Sequence, residues 1–383
     1  MPAGPPEPGA PARPGSRAAR PGRVRPRLPA AGTSFVLVGG VPFGVLVSPD
    51  GRRAFVSSTG QQLQVMDAGS RPVLSPAGTL LAPGAHLAGE TLTRDGRYLL
   101  AASDSGAVVF SAARAGQASP RAMLGSLQRP AGNGRQAGGP LGGAIEVAVP
   151  GGDRLAFVSL EDTAQIAVFN LQRALAHGFG PADYLGSIPA GLAPVGLAVS
   201  PGGRWLYATS EVARGGARGG LGSLSVISVP RAATDPAHAV VSTVAAGCQP
   251  VRVITSASGQ VVWVTARGSN ALLGFSAGRL RTDPARALLA RVQVGTAPVG
   301  LALVDAGRRI VIADSNRFHA QHARSSLAVV SVPAALAGRP ALLGLLPAGG
   351  FPREMALEPG GRTLLVTCFA SGQVEAVDVA RLP

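Results

Sequence analysis

The feature that most constrains this chain is a short turn motif that recurs along its whole length. An apolar run, a turn and a second apolar run recur in segments such as SPDGRRAFVSS, SPGGRWLYATS and EPGGRTLLVTC. Seven copies stand at residues 50, 95, 152, 202, 258, 306 and 360, at intervals of 45 to 57 residues. Repeats of this period with several short strands each are typical of β-propeller blades. Seven blades lie within the usual range for that architecture.

Each copy predicts four antiparallel strands, labelled a to d in chain order. In the fourth copy we expect them at residues 195–200, 205–210, 223–229 and 239–245. Asp-Gly and Gly-Gly suit the turn between strands a and b, because that turn needs residues that tolerate a positive φ. The segment that begins at Phe35 reads as a strand d, and the last copy ends after its strand c. We therefore predict an all-β, seven-bladed propeller of four-stranded antiparallel blades, closed by the N-terminal strand joining the last blade.

The first 32 residues differ in composition from the rest of the chain. They are rich in Pro, Ala and Arg and contain six Arg and one Glu. Such a segment predicts a disordered tail at residues 1–32, followed by the propeller at residues 33–383. No apolar stretch follows the basic start before Leu28, so we expect no signal peptide and, by default, a cytoplasmic chain. No window of 18 uninterrupted apolar residues occurs, which predicts a soluble chain without a membrane span.

The chain is strongly basic. It carries 35 basic and 20 acidic side chains, a net charge of +15, and every basic one is Arg. One explanation is a GC-rich coding bias, because Ala, Gly, Pro and Arg rise together. The other is a surface that attracts anions, which would include weak nucleic-acid binding through the Arg-rich tail.

Two further patterns carry a resemblance to a known family. Five blades open on a G-x-x-P pattern, as in AGLAPVG and GTAPVG, and strands b such as LYATS, VWVTA and LLVTC look like degenerate YVTN sequences. On these residues the chain resembles the YVTN-type, YncE-like seven-bladed propellers related to surface-layer proteins, from about Phe35 to the C-terminus. The resemblance implies the fold and leaves the ligand open, because family members differ in ligand. It also leaves the compartment open, because relatives are often exported.

Two long connections between strands b and c are candidate sites, since a long loop where a short one suffices often carries function. In the fourth blade Arg214 and Arg218 stand among glycines and could hold a phosphate or carboxylate. The alternative is a flexible insertion. In the sixth blade the candidate metal ligands are Asp314, Asn316, His319 and His322. The alternative there is a solvated polar loop.

A second candidate site comes from aligning the blade openings. The residue two places after the opening Pro is Gly in four blades and is Glu146, Arg252 and Glu354 in the third, fifth and seventh. These charges, with Arg353 close by, are expected at the mouth of the central channel. They form either a structural ion-pair plug or a binding site in which Arg252 anchors an anionic ligand.

Two classes of function remain. The first is a non-enzymatic, monomeric binding propeller without a cofactor, which takes a small anionic ligand or a protein partner on its top face. The second is a hydrolase, since related sugar-lactone hydrolases hold a divalent cation in the channel, here Ca²⁺ or Zn²⁺. Cys248 and Cys368 are about 120 residues apart, and we expect free thiols rather than a disulfide.

Overall fold

The computed structural model describes residues 33–69, 74–130, 143–216 and 220–383. The predicted tail at residues 1–32 lies outside this part of the chain. Within it the chain forms seven antiparallel sheets of four strands each. The innermost strands of successive sheets contact one another, and that of the last sheet contacts that of the first. The predicted seven-bladed propeller is therefore confirmed.

The strands follow one another in the order predicted from the repeats. Blade 1 contains β2 Leu46–Val47, β3 Arg53–Ser58, β4 Gln62–Asp67 and β5 Ser75–Leu81, and blade 2 contains β6 Leu87–Leu92, β7 Tyr98–Ser103, β8 Gly106–Ser111 and β9 Met123–Gln128. Blade 3 contains β10 Ala144–Ala148, β11 Leu155–Leu160, β12 Gln165–Asn170 and β13 Tyr184–Pro189, and blade 4 contains β14 Leu192–Val199, β15 Trp205–Val212, β16 Leu221–Ser228 and β17 Val240–Cys248. Blade 5 contains β18 Pro250–Thr255, β19 Val261–Ala266, β20 Ala271–Ser276 and β21 Leu288–Gln293, and blade 6 contains β22 Pro298–Val304, β23 Arg309–Asp314, β24 Ser326–Ser331 and β25 Leu342–Pro347. Blade 7 contains β26 Pro352–Leu357, β27 Thr363–Cys368 and β28 Gln373–Asp378, with β1 Ser34–Leu37 as its fourth strand.

Short helices follow strand c in the second to sixth blades. They are α1 Ala112–Gly116, α2 Leu171–His177, α3 Val229–Ala232, α4 Ala277–Thr282 and α5 Val332–Leu336, and single 3-10 turns lie at Glu161–Thr163, Pro181–Asp183, Pro236–His238, Arg267–Ser269, Pro284–Arg286, Asp305–Gly307 and Val379–Arg381. None of the helices in the described ranges is long and apolar enough to cross a membrane.

The ring closes through the N-terminal strand, as predicted. β1 pairs antiparallel with β28, with Phe35 opposite Glu375 and Val36 opposite Val374. The last blade thus combines three strands from the end of the chain with one from its beginning. This pairing covers an open strand edge that would otherwise be free to pair with another chain.

The turn between strands a and b has the geometry that its sequence predicts. In the fourth blade Gly203 has φ +68°, a conformation that favours glycine, and its N–H donates to the carbonyl of Ser200 at 2.8 Å. The Ser200 hydroxyl in turn accepts from the N–H of Trp205 at 3.1 Å. The strands on either side begin and end within about three residues of the predicted positions. Strand d is longer than predicted, and it includes Cys248.

Hydroxyl side chains of strand b link neighbouring blades. Thr209 donates to the carbonyl of Val251 in the next blade at 2.7 Å, and Thr265 donates in the same way to Val299 at 2.6 Å. Thr367 makes the equivalent bond from the last blade to Phe43 of the first at 3.0 Å. Where this position is Thr, its hydroxyl therefore connects two sheets.

Apolar side chains fill the spaces between successive blades. Trp263 and Tyr207 are the largest fully buried side chains in the described chain, and both belong to strand b. Because each blade is packed on both faces, strand b is an almost unbroken apolar run rather than an alternating one.

Candidate functional site

Three charged side chains from non-adjacent blades meet in the central channel. Arg252, on β18, is 5% exposed; its Nε donates to Glu354 Oε1 at 2.6 Å and lies 3.3 Å from Glu146 Oε2. Its Nη2 pairs with the same Glu354 oxygen, and its Nη1 donates to the carbonyl of Val195 at 2.9 Å. All three guanidinium nitrogens therefore face partners within the protein. We call Arg252, Glu146 and Glu354 the plug.

Glycine in the intervening blades brings the strands of the plug close together. A Cβ on Gly196 would lie 2.3 Å from the carbonyl oxygen of Val251, and one on Gly300 would lie 2.0 Å from that of Arg353. Neither contact is possible for a larger residue. The ring position that alternates between glycine and charge is thus explained by close packing of blades 4 and 5 and of blades 6 and 7.

Burial raises the pKa of one acid of the plug, Glu146, and of a neighbouring acid, Glu90. Burial raises the pKa of Glu146 to about 8; the neighbouring Arg252 opposes this shift and the charge of Glu354 adds to it. Burial also raises the pKa of Glu90 well above its usual range, although the carboxylate accepts from the N–H of Ser57 at 3.0 Å. Below the plug these acids line a cavity of about 170 Å³, which we call the lower cavity.

Arg353 has no such partners. Its side chain is 9% exposed and its guanidinium carbon lies 3.6 Å from the centre of the Phe43 ring. It makes no hydrogen bond or ion pair with any described residue, and its Nε is buried without a partner. Burial and, to a smaller extent, the charge of Arg252 lower the pKa of Arg353 to about 9. Arg353 is therefore a buried cation without an internal counter-ion among the described residues.

Arg353 lines a larger cavity above the plug, on the face that carries the loops between strands b and c. This upper cavity has a volume of about 310 Å³. Its lining comprises Ile145, Glu161, Val195, Glu211, Val251, Arg252, Arg267, Val299, Arg317, Phe351, Arg353 and Phe369. Arg267, 6% exposed, is paired with Glu211 at 2.7 Å and faces the ring of Phe318. The cavity therefore combines an apolar floor with a charged rim.

Arg214, His319 and His322 do not line the upper cavity. Arg214 is exposed, and Arg218 lies outside the described residues. In the sixth blade His319 and His322 are exposed. Within the described part of the chain no three His, Cys, Asp or Glu side chains come together to hold a metal ion.

The other two predicted metal ligands are used in the local structure. Asp314 is fully buried at the end of β23 and accepts from the hydroxyl of Ser326 at 3.1 Å. The amide of Asn316 donates to the carbonyl of Ala323 at 3.1 Å and accepts from the N–H of Ala320 at 3.1 Å. Asn316 thus closes its own loop.

Both cysteines are free, as expected. Cys368 is buried, and burial raises the pKa of its thiol to about 12, with the adjacent Glu375 contributing. The thiolate that nucleophilic chemistry needs is therefore disfavoured at this position.

Sequence reasoning missed the residues that form the rim of the upper cavity. These residues occupy the same position at the end of strand b in blades 3, 4, 5 and 7. Glu161, Arg267 and Phe369 directly follow the strand, and Glu211 is the residue before the last one of the longer β15. A second alignment, of the residue after the YVTN-like strand, would have shown them. A third, of the residue after the opening Pro or its equivalent in the two blades that lack the Pro, shows apolar residues in six blades and Arg353 in the seventh.

The fold and the site define a β-propeller with a plugged channel and a charged cavity on one face. No model of a known protein family matches the chain. No curated protein matches it either. Among solved structures, the chain is similar to Kuenenia stuttgartiensis hydrazine synthase, at 16% identity and a TM-score of 0.68, over 89% of this chain and 96% of that one. It is also similar to the Cps50 (Swd1) β-propeller domain of Myceliophteria thermophila, at 13% identity and a TM-score of 0.65, over 91% and 99% of the two chains. At these identities the similarity shows the fold alone.

Proposed function

We propose that the chain binds a small anionic ligand in the upper cavity and that Arg353 is its anchor. The observation that carries the proposal is the buried guanidinium of Arg353, which has no counter-ion among the described residues and borders an open cavity. Burying a charge is costly unless it is paired. A carboxylate or phosphate in the cavity supplies the missing partner through charge-assisted hydrogen bonds.

The electrostatics of the cavity favour an anion. Arg252, Arg317 and Arg267 each disfavour the charged form of Arg353, and Glu354 only partly compensates. Like charges held around one side chain raise the local positive potential, and an anion lowers it. Arg252, the anchor expected from the sequence, is already held by partners within the plug. We therefore assign the anchor to Arg353, in the opening of the last blade.

Binding by the purified chain tests the proposal. The probes are inorganic phosphate and 4-methylpentanoate, and calorimetry measures their affinity for the parent chain and for Arg353→Met. Met keeps an apolar stem against Phe43 and removes the charge. Arg339→Met, in an exposed connection of the sixth blade, is the matched control. We expect Arg353→Met to lose at least 10-fold in affinity and the control to bind like the parent.

Two results would contradict the proposal. If neither probe binds, or if Arg353→Met binds as tightly as the control, Arg353 is not an anchor. Arg214→Met tests separately whether the fourth-blade loop contributes, and a loss confined to that variant would move the site to the loop. No observation among the described residues favours the metal-dependent hydrolase.

We infer that the chain is a divergent relative of the YVTN-type propellers. The Thr of the strands LYATS, VWVTA and LLVTC supports this, since Thr209, Thr265 and Thr367 make equivalent bonds to the next blade. The recurrence of the opening Pro supports it too. A register shift follows Pro194, Pro250, Pro298 and Pro352, and the same shift follows Leu87 and Ala144 in the two blades that lack the Pro. A profile built from homologues of this chain should match YVTN-type repeats. A match to another propeller class in preference would contradict the inference.

A further inference from the structure

The upper cavity contains a second charged side chain without a partner. Glu161 begins the turn Glu161–Thr163 after β11, and its N–H donates to the carbonyl of Gly143 at 2.6 Å. Its carboxylate makes no hydrogen bond or ion pair with any described residue. Burial raises the pKa of Glu161, the charges of Glu211 and Asp162 raise it further, and the charges of Arg353 and Arg317 oppose them. The charged form of this carboxylate is therefore undercompensated.

The other acid of the rim differs in this respect. Glu211 is held by Arg267 at 2.7 Å, so both of these charges are satisfied within the wall of the cavity. Arg353 and Glu161 border the same cavity but do not form an ion pair with each other. Besides the exposed Arg317, the cavity thus presents a buried cation, Arg353, and a half-buried acid, Glu161, each without a hydrogen-bond or ion-pair partner among the described residues.

Apart from Arg252 of the plug and the exposed Arg317, the remainder of the lining is apolar. Phe351 and Phe369 form a tilted ring pair with centroids 5.3 Å apart beside Arg353, and aliphatic side chains of four blades complete the floor: Ile145, Val195, Val251 and Val299. A volume of about 310 Å³ stands at the small end of the range for ligand pockets. The occupant is therefore small and has an apolar part.

We propose that the ligand of the upper cavity is a free amino acid with an apolar side chain. Its carboxylate binds Arg353, its ammonium group binds Glu161, and its side chain packs on the apolar floor. The inference rests on the proposed function and adds the chemical class of the ligand. A zwitterion neutralises both unpaired groups at once, whereas a simple carboxylate leaves Glu161 without a partner.

Paired ligands that differ only in the amino group test this inference. Calorimetry on the full chain compares leucine with 4-methylpentanoate, and phenylalanine with 3-phenylpropanoate. We expect at least one amino acid to bind about 10- to 100-fold more tightly than its amine-free analogue, as one additional charge-assisted contact in a buried site provides. Glu161→Gln should reduce that ratio to within about 3-fold and leave the analogue's own affinity unchanged.

The neighbouring exposed acid provides the matched control. Asp162→Asn removes a charge one residue away, outside the cavity lining, and should keep the ratio of the parent chain. Equal binding of both amino acids and their analogues, with affinity still dependent on Arg353, would overturn the amino-acid inference and leave the anion site standing. If no compound binds the parent chain, inorganic phosphate included, the proposed function itself is overturned.

Discussion

Replacing Arg252 with Met should destabilise the propeller more than replacing Arg214, Arg339, Arg353 or Arg381 in the same way. The change leaves Glu146 and Glu354 buried and facing each other without the cation that holds them. Breaking a buried ion pair by removing one partner costs about 3–5 kcal/mol. For about 350 folded residues, an unfolding entropy of about 2.1 cal/mol/K per residue converts this cost into a fall in Tm of about 4–7 °C.

The loss should depend on pH in a defined direction. In the variant Glu146, whose pKa is raised by burial, can become neutral by binding a proton, so the destabilisation is smaller at pH 5 than at pH 8. Urea unfolding at both pH values measures this difference. Adding Glu146→Gln and Glu354→Gln to Arg252→Met should restore most of the lost stability, because no buried charge then remains.

A matched control separates the plug from charge in general. Arg381 makes an exposed pair with Asp378 at 3.5 Å, and Arg381→Met should change the free energy of unfolding by less than about 1 kcal/mol. A loss below about 1 kcal/mol for Arg252→Met at pH 8, or one that is the same at pH 5, would refute this account of the plug.

Three further predictions concern closure, pH and the tail. Deleting residues 1–41 should lower Tm through loss of the β1–β28 pairing, whereas deleting residues 1–30 should not; equal Tm values would contradict this. Glu375 has a pKa raised by burial to about 7, so its contribution to stability falls as pH rises from about 4.5 to 7. Glu375→Gln should remove that dependence, with a gain of about 2–3 kcal/mol at pH 8 by urea unfolding. Removing residues 1–32 should weaken the salt-sensitive binding of single-stranded DNA at low salt, measured by fluorescence anisotropy; unchanged binding would contradict the predicted role of the tail.

The blades and their closure were predictable because they depend on local patterns. Turn motifs such as that at Ser200 determine where strands a and b meet, and the surplus strand at Phe35 completes a ring that lacks one strand. The position of Glu146, Arg252 and Glu354 at one level of the channel followed from the same register. Each of these conclusions needs only the spacing along the chain.

The role of each charge was not predictable in the same way. The plug forms because the Arg252 side chain reaches acids on two other blades, and Arg353 lies over the ring of Phe43 rather than pairing with an acid. Those outcomes depend on side-chain reach across the ring rather than on periodicity. The sixth-blade loop shows the same limit, since Asp314 points into its blade while His319 points to solvent.

The hydroxyl bonds between blades have a consequence for where the ring opens. Alanine stands in place of the Thr or Ser of strand b in the second and sixth blades, at Ala102 and Ala313. The seam between blades 6 and 7 therefore lacks the strand-b hydroxyl that bridges other seams, and Arg353 lies on it. A ligand that touches Val299 and Arg353 spans this seam and fastens the two blades together. Ligand binding in the cavity should therefore slow amide hydrogen exchange along β22 and β26, without a change in the conformation of either strand.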